Sequence, residues 1–242
     1  MKNILITGAS HGVGRAVAEE LAERGAFFIL AGDKDEVALN DAAQAIRSLN
    51  ENASVETALA SVSNRNAMSA VFDRFAEMGG IDTLINCAGI SYIGLLQDMT
   101  AEQWDEIIGV NLTGVFNTSS FAIPQMLRVG CGRILNISSV WGVAGASCEA
   151  AYSASKGGVN ALTKALAKEL APSHISVNAI ACGFIDTRMN DHLSLEEKEK
   201  LFEEIPAGRA GTGKEVAQFA LKLLESPEYL TGQIINFDGG WI

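Results

Sequence analysis

Tyr152 and Lys156 stand one helical turn apart in the run YSASK. Residues at i and i+4 of a helix project from one face, so a phenol and an ammonium can share a site there. The chemistry this suggests is acid–base. A free phenol has a pKa of about 10, and a cation beside it favours the phenolate and brings proton transfer towards neutral pH. Of the three tyrosines, Tyr92, Tyr152 and Tyr229, only Tyr152 has Lys at the fourth following position. By itself the pair is weak evidence, because a half-buried ring beside a solvated amine is the more common meaning of that spacing. Just upstream, an apolar strand from Arg133 to Ile137 ends in Ser138 and Ser139, and a loop of small residues then leads into the Tyr152 helix.

A second run with chemical potential lies near the start. Lys2 to Thr7 reads as a buried strand, followed by Gly8, Gly12 and Gly14 and an amphipathic helix with Val13, Val17, Ala18 and Leu21 on its apolar positions. Strand, glycine turn and helix N-terminus together make a phosphate site: glycine lets the backbone approach, while free N–H groups and the helix dipole favour an anion. The spacing is T-G-x-x-x-G-x-G, not the G-x-G-x-x-G fingerprint, and glycine turns after strands also serve tight packing.

The elements that must position these residues alternate along the chain. Strands are predicted at Ala26 to Ala31, Ser54 to Ala60, Ile81 to Ile85, Arg133 to Ile137, Ile175 to Ile180 and Gly232 to Phe237. Helices are predicted at Asp35 to Leu49 and about Asn64 to Met78, and from the capping box Thr100-x-x-Gln103 to about Arg128, with Asn111 in the middle of that long helix. Asn is a poor interior helix residue, so Asn111 should either face solvent or be held by a specific hydrogen bond. Ser194-x-x-Glu197 and Thr212-x-x-Glu215 open two further helices; the first, acidic one should turn Leu195, Leu201 and Phe202 inward, and it could also serve as a lid. Strand–helix alternation calls for right-handed crossovers. The predicted fold class is therefore α/β: one domain over residues 1–242, a Rossmann-like doubly wound parallel sheet of about seven strands with helices on both faces.

Composition narrows the function. Hydrophobic residues make up 48% of the 242 residues and charged residues 19%, enough for a core without a metal or disulfide staple. The formal charge is −11, with Lys and Arg scattered, which argues against nucleic-acid or anionic-membrane partners. The N-terminal apolar run is too short for a signal peptide, and no stretch approaches the ~18 apolar residues of a membrane span. A soluble cytoplasmic protein is expected. Cys87, Cys131, Cys148 and Cys182 are widely spaced and only three His are present, so neither a zinc site nor any other metal site is expected.

With these parts placed, the chain resembles the short-chain dehydrogenase/reductase family from end to end. The matching segments are TGASHGVG at Thr7 to Gly14, NCAG at Asn86 to Gly89, Asn111, Ser139, YSASK at Tyr152 to Lys156 and GFIDT at Gly183 to Thr187. Each falls at the C-terminal end of a predicted strand or on the helix that follows, where an open α/β sheet binds its ligand. The resemblance implies an NAD(P)H-dependent carbonyl reductase. Tyr152 would protonate the carbonyl oxygen, Lys156 would hold the nicotinamide ribose and lower the Tyr152 pKa, Ser139 would bind the carbonyl, and Asn111 would anchor a proton-relaying water. Ser139, thirteen residues before Tyr152, matches the family spacing, which leaves Ser138 a structural role. Cofactor contacts are implied at Gly8, Ser10, His11, Gly12, Val13, Gly14, Asp33, Asn86, Ala88, Gly89, Tyr152, Lys156, Gly183, Ile185 and Thr187.

Departures from the family pattern also inform the reading. Cys182-Gly183 stands where Pro-Gly is usual, Ser61 where an Asp commonly contacts adenine, and His11 where NADP-using members often carry Arg or Lys. Gly32 occupies the position of the acidic residue of NAD-preferring relatives, and Lys34 could meet a 2′-phosphate, so NADPH is the expected cofactor, with NADH possible. The length and C-terminal segment look like bacterial 3-oxoacyl-acyl-carrier-protein reductases, while SSVWGVAGASCEAAYS is locally similar to a group that reduces a 5-aminopentanone protein modification. Gly130 and Ser173 stand where carrier-docking arginines are found, with Arg128 and Arg133 as the nearby basic residues. The expected substrate is thus a small-molecule or acyl-thioester ketone used without dependence on a carrier. Phe184, Met189, Leu193 and Phe202, in a lid at about residues 184–208, would offer apolar surface to it. A homotetramer is expected through the long Thr100 helix and the Tyr152 helix, where Gly157, Gly158, Ala161 and Ala165 would permit close packing. The rival from another class is a catalytically silent dinucleotide-binding regulator.

Overall fold

Apolar runs and amphipathic helices resolve into nine strands and nine α-helices among the described residues, which in this computed structural model are 1–22, 27–32 and 35–242. The strands are β1 (Asn3–Thr7), β2 (Phe27–Gly32), β3 (Ser54–Leu59), β4 (Thr83–Asn86), β5 (Gly132–Ser139), β6 (Ile175–Cys182), β7 (Ile185–Asp186), β8 (Gly211–Thr212) and β9 (Ile234–Phe237). The helices are α1 (Gly12–Leu21), α2 (Glu36–Leu49), α3 (Arg65–Glu77), α4 (Ala101–Ile108), α5 (Gly114–Val129), α6 (Trp141–Ala144), α7 (Ala150–Leu170), α8 (Leu195–Glu204) and α9 (Gly213–Leu224). Seven strands form one parallel sheet in the order β3-β2-β1-β4-β5-β6-β9. The order reverses between β1 and β4, and such a switch point leaves a crevice beyond the strand C-termini.

Parallel strands covered on both faces read as continuous apolar runs, and β6 is buried at all eight positions. Alternation along β1 divides the core between the two faces. Ile4 and Ile6 pack with Val17, Leu21, Leu39, Ile46 and Val216 of α1, α2 and α9, while Leu5 packs with Phe72, Phe75, Met126 and Leu170 of α3, α5 and α7. All three predicted capping boxes form: Thr100 with Gln103, Ser194 with Glu197 and Thr212 with Glu215. The Asp35 carboxylate caps α2 by accepting from the Ala38 amide.

Four expectations need correction. The long helix from Thr100 is interrupted by a π-helical turn, Gly109–Thr113, which divides it into α4 and α5. The fourth strand starts at Thr83 and not at Ile81: the Ile81 amide donates to Gln125 Oε1 at 3.2 Å, and the Asp82 carboxylate accepts from the Lys2 and Asn3 amides, so these groups are taken up outside the ladder. The last strand starts at Ile234, because Gly232 turns the chain with φ of 75°. Leu195 opens α8 on its outer side, 81% exposed, although its helix-mates Leu201 and Phe202 are half-buried as expected. Ala26, the predicted start of the second strand, lies outside the described residues. No helix among the described residues is long and apolar enough to cross a membrane.

Candidate active site

The strand ends at the switch point open into a cleft of about 1040 Å³. Thr7 ties two of them together, its Oγ1 accepting from the Cys87 and Ala88 amides at 3.1 and 3.2 Å. Between them Gly8 takes φ of +64°, and a Cβ there would lie 2.8 Å from the Ala88 N and Cα. A Cβ on Gly12 would meet the Thr187 methyl at 3.4 Å, and one on Gly14 would strike the Gly8 carbonyl. At Gly8 and Gly14 glycine is thus required by backbone against backbone, and the cradle it leaves sits at the start of α1, whose cap residue His11 makes no side-chain capping bond. First-turn amides with no side-chain partner in a glycine cradle fit a diphosphate. Ser10, His11, Val13, Ala88, Gly89, Gly183, Ile185 and Thr187 line the same cleft.

One predicted cofactor contact stands outside the cleft lining, and another lies outside the described residues. Asn86 does not line the cleft: its Nδ2 donates to Asn136 Oδ1 at 2.9 Å and its Oδ1 accepts from Thr118 Oγ1 at 2.7 Å, a buried network that clamps β4 to β5 and α5. Asp33 lies outside the described residues, as does Lys34.

Tyr152 and Lys156 come together on α7 at the cleft floor, the Lys156 Nζ 5.7 Å from the Tyr152 ring centroid. Lys156 is 5% exposed and donates to the Ile137 carbonyl at 2.8 Å. Burial lowers its pKa, with Cys87 and Cys182 acting the other way. Burial is also the largest influence on the Tyr152 phenol and holds its pKa above the ordinary value, while the hydrogen bond with Ser139 opposes it. The expected lowering by Lys156 is therefore not what governs this geometry, since the ammonium is bonded to a backbone carbonyl and desolvation favours the neutral phenol. Ser139 Oγ also accepts from the Trp141 amide at 3.1 Å. Ser138 is spent on Asn160 Oδ1 at 2.6 Å, in keeping with a structural role.

Asn111 sits inside the π-helical turn and is fully buried. Its Oδ1 accepts from the Ile90 amide at 2.9 Å, and its Nδ2 donates to the Ile90 carbonyl at 2.9 Å and to Ser155 Oγ at 3.1 Å. Held by a specific hydrogen bond was one of the two readings left open for this residue, and it is the one found. π-Turns of this kind occur often at functional sites. Asn111 does not line the cleft but stands just behind it, since a Cβ on Gly89 would lie 3.5 Å from both Asn111 Oδ1 and Lys156 Nζ.

Burial pushes the Cys87 thiol up to about 11 and the Cys182 thiol up to about 12, so neither is a nucleophile near neutral pH. Over the cleft, the pairing of β7 with β8 anchors the segment that carries Phe184, Met189, Leu193 and Leu201, all of which line it. Phe202 packs on Phe184 at 6.1 Å between centroids and is not a lining residue; Leu201 takes that place. Sequence reasoning passed over Asp35, Trp141, Glu149, Arg188 and Trp241, which also line the cleft. The Asp35 carboxylate pairs with His11 Nε2 at 3.2 Å, and Arg188 reaches both from the far rim. Only Glu149, three residues before Tyr152, carried a local signal.

A glycine cradle at a helix start, joined to a Ser–Tyr–Lys cluster at the ends of parallel strands, is the arrangement the motif order predicted. The profile of the family described as short chain dehydrogenase matches residues 2–198. The chain belongs to that family. Short-chain dehydrogenases are NAD(P)-dependent oxidoreductases acting on carbonyl and CH–OH groups, and that reaction class is the one this chain carries. Full-length relatives include 3-oxoacyl-acyl-carrier-protein reductases of Thermotoga maritima, 40% identical over 100% of this chain and 98% of the relative, and of Aquifex aeolicus, 41% identical over 98% and 95%. The Vibrio cholerae protein of the same name is 39% identical over 99% of this chain and 96% of its own length.

Proposed function

We propose that this short-chain dehydrogenase reduces a ketone of the 3-oxoacyl type to its alcohol, using NADPH and working without dependence on a carrier protein. The observation that carries the reading is the placement of Tyr152: a buried phenol beside Lys156 on α7, in the same cleft as Ser139 and the glycine cradle. When bound, the nicotinamide cofactor supplies hydride to the carbonyl carbon. Ser139 and Tyr152 hold the carbonyl oxygen, and Tyr152 gives it a proton. Lys156 would hold the ribose of the bound cofactor, and Asn111, behind Gly89, keeps the loop after β4 in place through its bonds to Ile90. The cradle of Gly8, Gly12 and Gly14 would hold the diphosphate. Preference for NADPH is supported by an uncharged Gly32 on the cleft wall, although His11 and Arg188 nearby are both paired with Asp35.

Independence from a carrier is supported by Gly130, which has no neighbour within 4 Å of an added Cβ, by Ser173, and by the charge of −11. Arg133 is half-buried and donates to Ser176. Two acidic partners repel unless a basic patch compensates. The experiment compares an acetoacetyl thioester of a small thiol with the carrier-linked form, with NADPH and NADH in parallel. The small thioester is expected within about tenfold in kcat/KM, about 1.4 kcal/mol, and to turn over better with NADPH. A hundredfold preference for the carrier-linked form would restore a carrier-dependent reductase.

We further propose a homotetramer, supported by Trp104, Phe116, Leu127 and Val129, large apolar side chains exposed along α4 and α5, and by exposed Ala161 and Ala165 on α7. Gly158 serves packing inside the chain instead, because a Cβ there would meet Leu112 at 2.8 Å. Light scattering at micromolar concentration is expected to report four chains, and a monomer would overturn the proposal.

A further inference from the structure

Ser139, which holds the carbonyl in the proposed reduction, is tied through its Oγ to the Trp141 amide at 3.1 Å. The indole of Trp141 is therefore carried by the same short segment as the group that fixes the reacting oxygen. A second indole meets it from the segment after β9. Trp141 and Trp241 both line the cleft, with ring centroids 4.8 Å apart and planes at 60°, an edge-on pair. Both are only half-buried, and neither belongs to the core on either face of the sheet. A Trp side chain offers about 150–250 Å² of largely apolar surface, and here that surface is left to the cleft.

Trp241 is held in this position by a turn fixed from three directions. After β9 the chain reverses through Gly239 and Gly240, at φ of 69° and 86°, values that favour glycine. The Asp238 carboxylate holds the reversal from inside, its Oδ1 accepting from the Gly240 amide at 3.0 Å and its Oδ2 from the Ile242 amide at 3.2 Å. Those two bonds bracket Trp241. Beyond α8, the Ala207 amide donates to the Gly239 carbonyl at 3.1 Å, and at the end of β6 a Cβ on Gly183 would strike Asp238 at 2.7 Å. The turn thus rests directly on the strand end that floors the cleft.

The lid lines the cleft with Met189, Leu193 and Leu201, flexible side chains that adapt to an alkyl group of any shape. Two stiff indoles set at an angle do not adapt. They present flat faces and ring edges, and Phe184, resting on Phe202, adds a further ring to the lining. Aromatic rings take offset-stacked or edge-to-face neighbours at centroid separations of about 4.5–7 Å, so such a wall is complementary to another ring.

We propose that Trp241, with Trp141, determines specificity, and that the ketone reduced here carries an aromatic ring which the two indoles receive while Ser139 and Tyr152 hold the carbonyl. This rests on the ketone-reductase reading of the cleft and adds to it the group that the ketone carries. Asp238 acts through Trp241, as a positioning residue.

The test is steady-state reduction with NADPH of two 3-oxoacyl thioesters of one small thiol, whose chains end in a phenyl or a cyclohexyl ring with two methylenes between ring and ketone. The methylenes keep the ring out of conjugation, so the carbonyls are equally reactive. The saturated ring buries no less apolar area, so area alone does not favour phenyl. Wild type is expected to favour the phenyl thioester at least about threefold in kcat/KM, with the difference in KM because the ring lies away from the reacting atoms. Trp241→Ala should bring the ratio within about 1.5-fold, and Trp241→Phe, which keeps a ring, should retain most of the preference. Asp238→Ala keeps both indoles but frees the turn, and it should lower the ratio as Trp241→Ala does; a merely structural loss would slow both thioesters alike. A carbonyl-free phenylalkanol should inhibit wild type more strongly than its cyclohexyl counterpart, a readout that does not depend on the folding of any variant. Equal use of both thioesters by wild type, an unchanged ratio in Trp241→Ala, or reduction of the acetoacetyl thioester but of neither ring-bearing one would overturn the inference. Failure to reduce any of the three thioesters while NADPH still binds would instead overturn the ketone-reductase reading, and the inference with it.

Discussion

Replacing Tyr152 by Phe is expected to lower kcat by a factor on the order of 10²–10⁴ while leaving dinucleotide affinity nearly unchanged. The ring sits in a buried position, so Phe keeps the packing, and what disappears is its one O–H, in the same cleft as Ser139. The size of the loss follows from the protonation state. Because burial holds the phenol above its ordinary pKa, the proton-donating form dominates across the neutral range, and reductive kcat/KM should show no fall from Tyr152 ionisation between pH 6 and 9, roughly. Steady-state rates paired with NADPH fluorescence titration check both halves. Near-full activity in the variant would remove Tyr152 as the donor.

The second large effect is structural and acts on the cofactor. Gly8→Ala places a side chain at φ of +64°, with its Cβ 2.8 Å from the Ala88 backbone. A left-handed conformation costs an L-residue about 1–2 kcal/mol before any contact is counted. The contact cannot be relieved by a rotamer, because the opposing atoms are backbone and are tied to Thr7 Oγ1 through the Cys87 and Ala88 amides. The strand ends β1 and β4 must separate, and the cradle opens with them. A stability loss of at least about 2 kcal/mol and a tenfold or greater weakening of dinucleotide binding are expected. Gly79→Ala provides the comparison, since its φ of +91° is strained but nothing lies within 4 Å of the added Cβ. It should cost about 1 kcal/mol and leave cofactor affinity alone. If both variants bind NADPH as wild type does, the close approach at Gly8 is not what shapes the cradle.

The features legible in the sequence were those whose physics is local. Capping boxes at Thr100, Ser194 and Thr212 depend on residues three apart, and all three form. Apolar runs placed the strands to within two or three residues at most ends, because burial on both faces demands continuous hydrophobicity. The glycines of the first turn and the four-residue spacing of Tyr152 and Lys156 likewise express backbone geometry that neighbouring residues share. Motif order along the strands then indicated where the cleft would lie, since a parallel sheet brings its C-terminal ends together.

What tertiary structure alone decided lies in contacts between distant segments. Asn111 is held by the backbone of Ile90, 21 residues away, and the helix around it takes a π-turn that periodicity does not announce. Asn86 has the right motif position, but its side chain is consumed by Asn136 and Thr118. Spacing put Lys156 beside Tyr152, but the phenol answers first to burial, a property of the closed molecule and not of the i, i+4 pair. Glu149 meets Ser91 across 58 residues, and Arg188 meets His11 across 177. Periodicity, capping and turn chemistry are set by neighbours along the chain and can be read there; desolvation and the pairing of charges across a cleft exist only once the chain has closed around them.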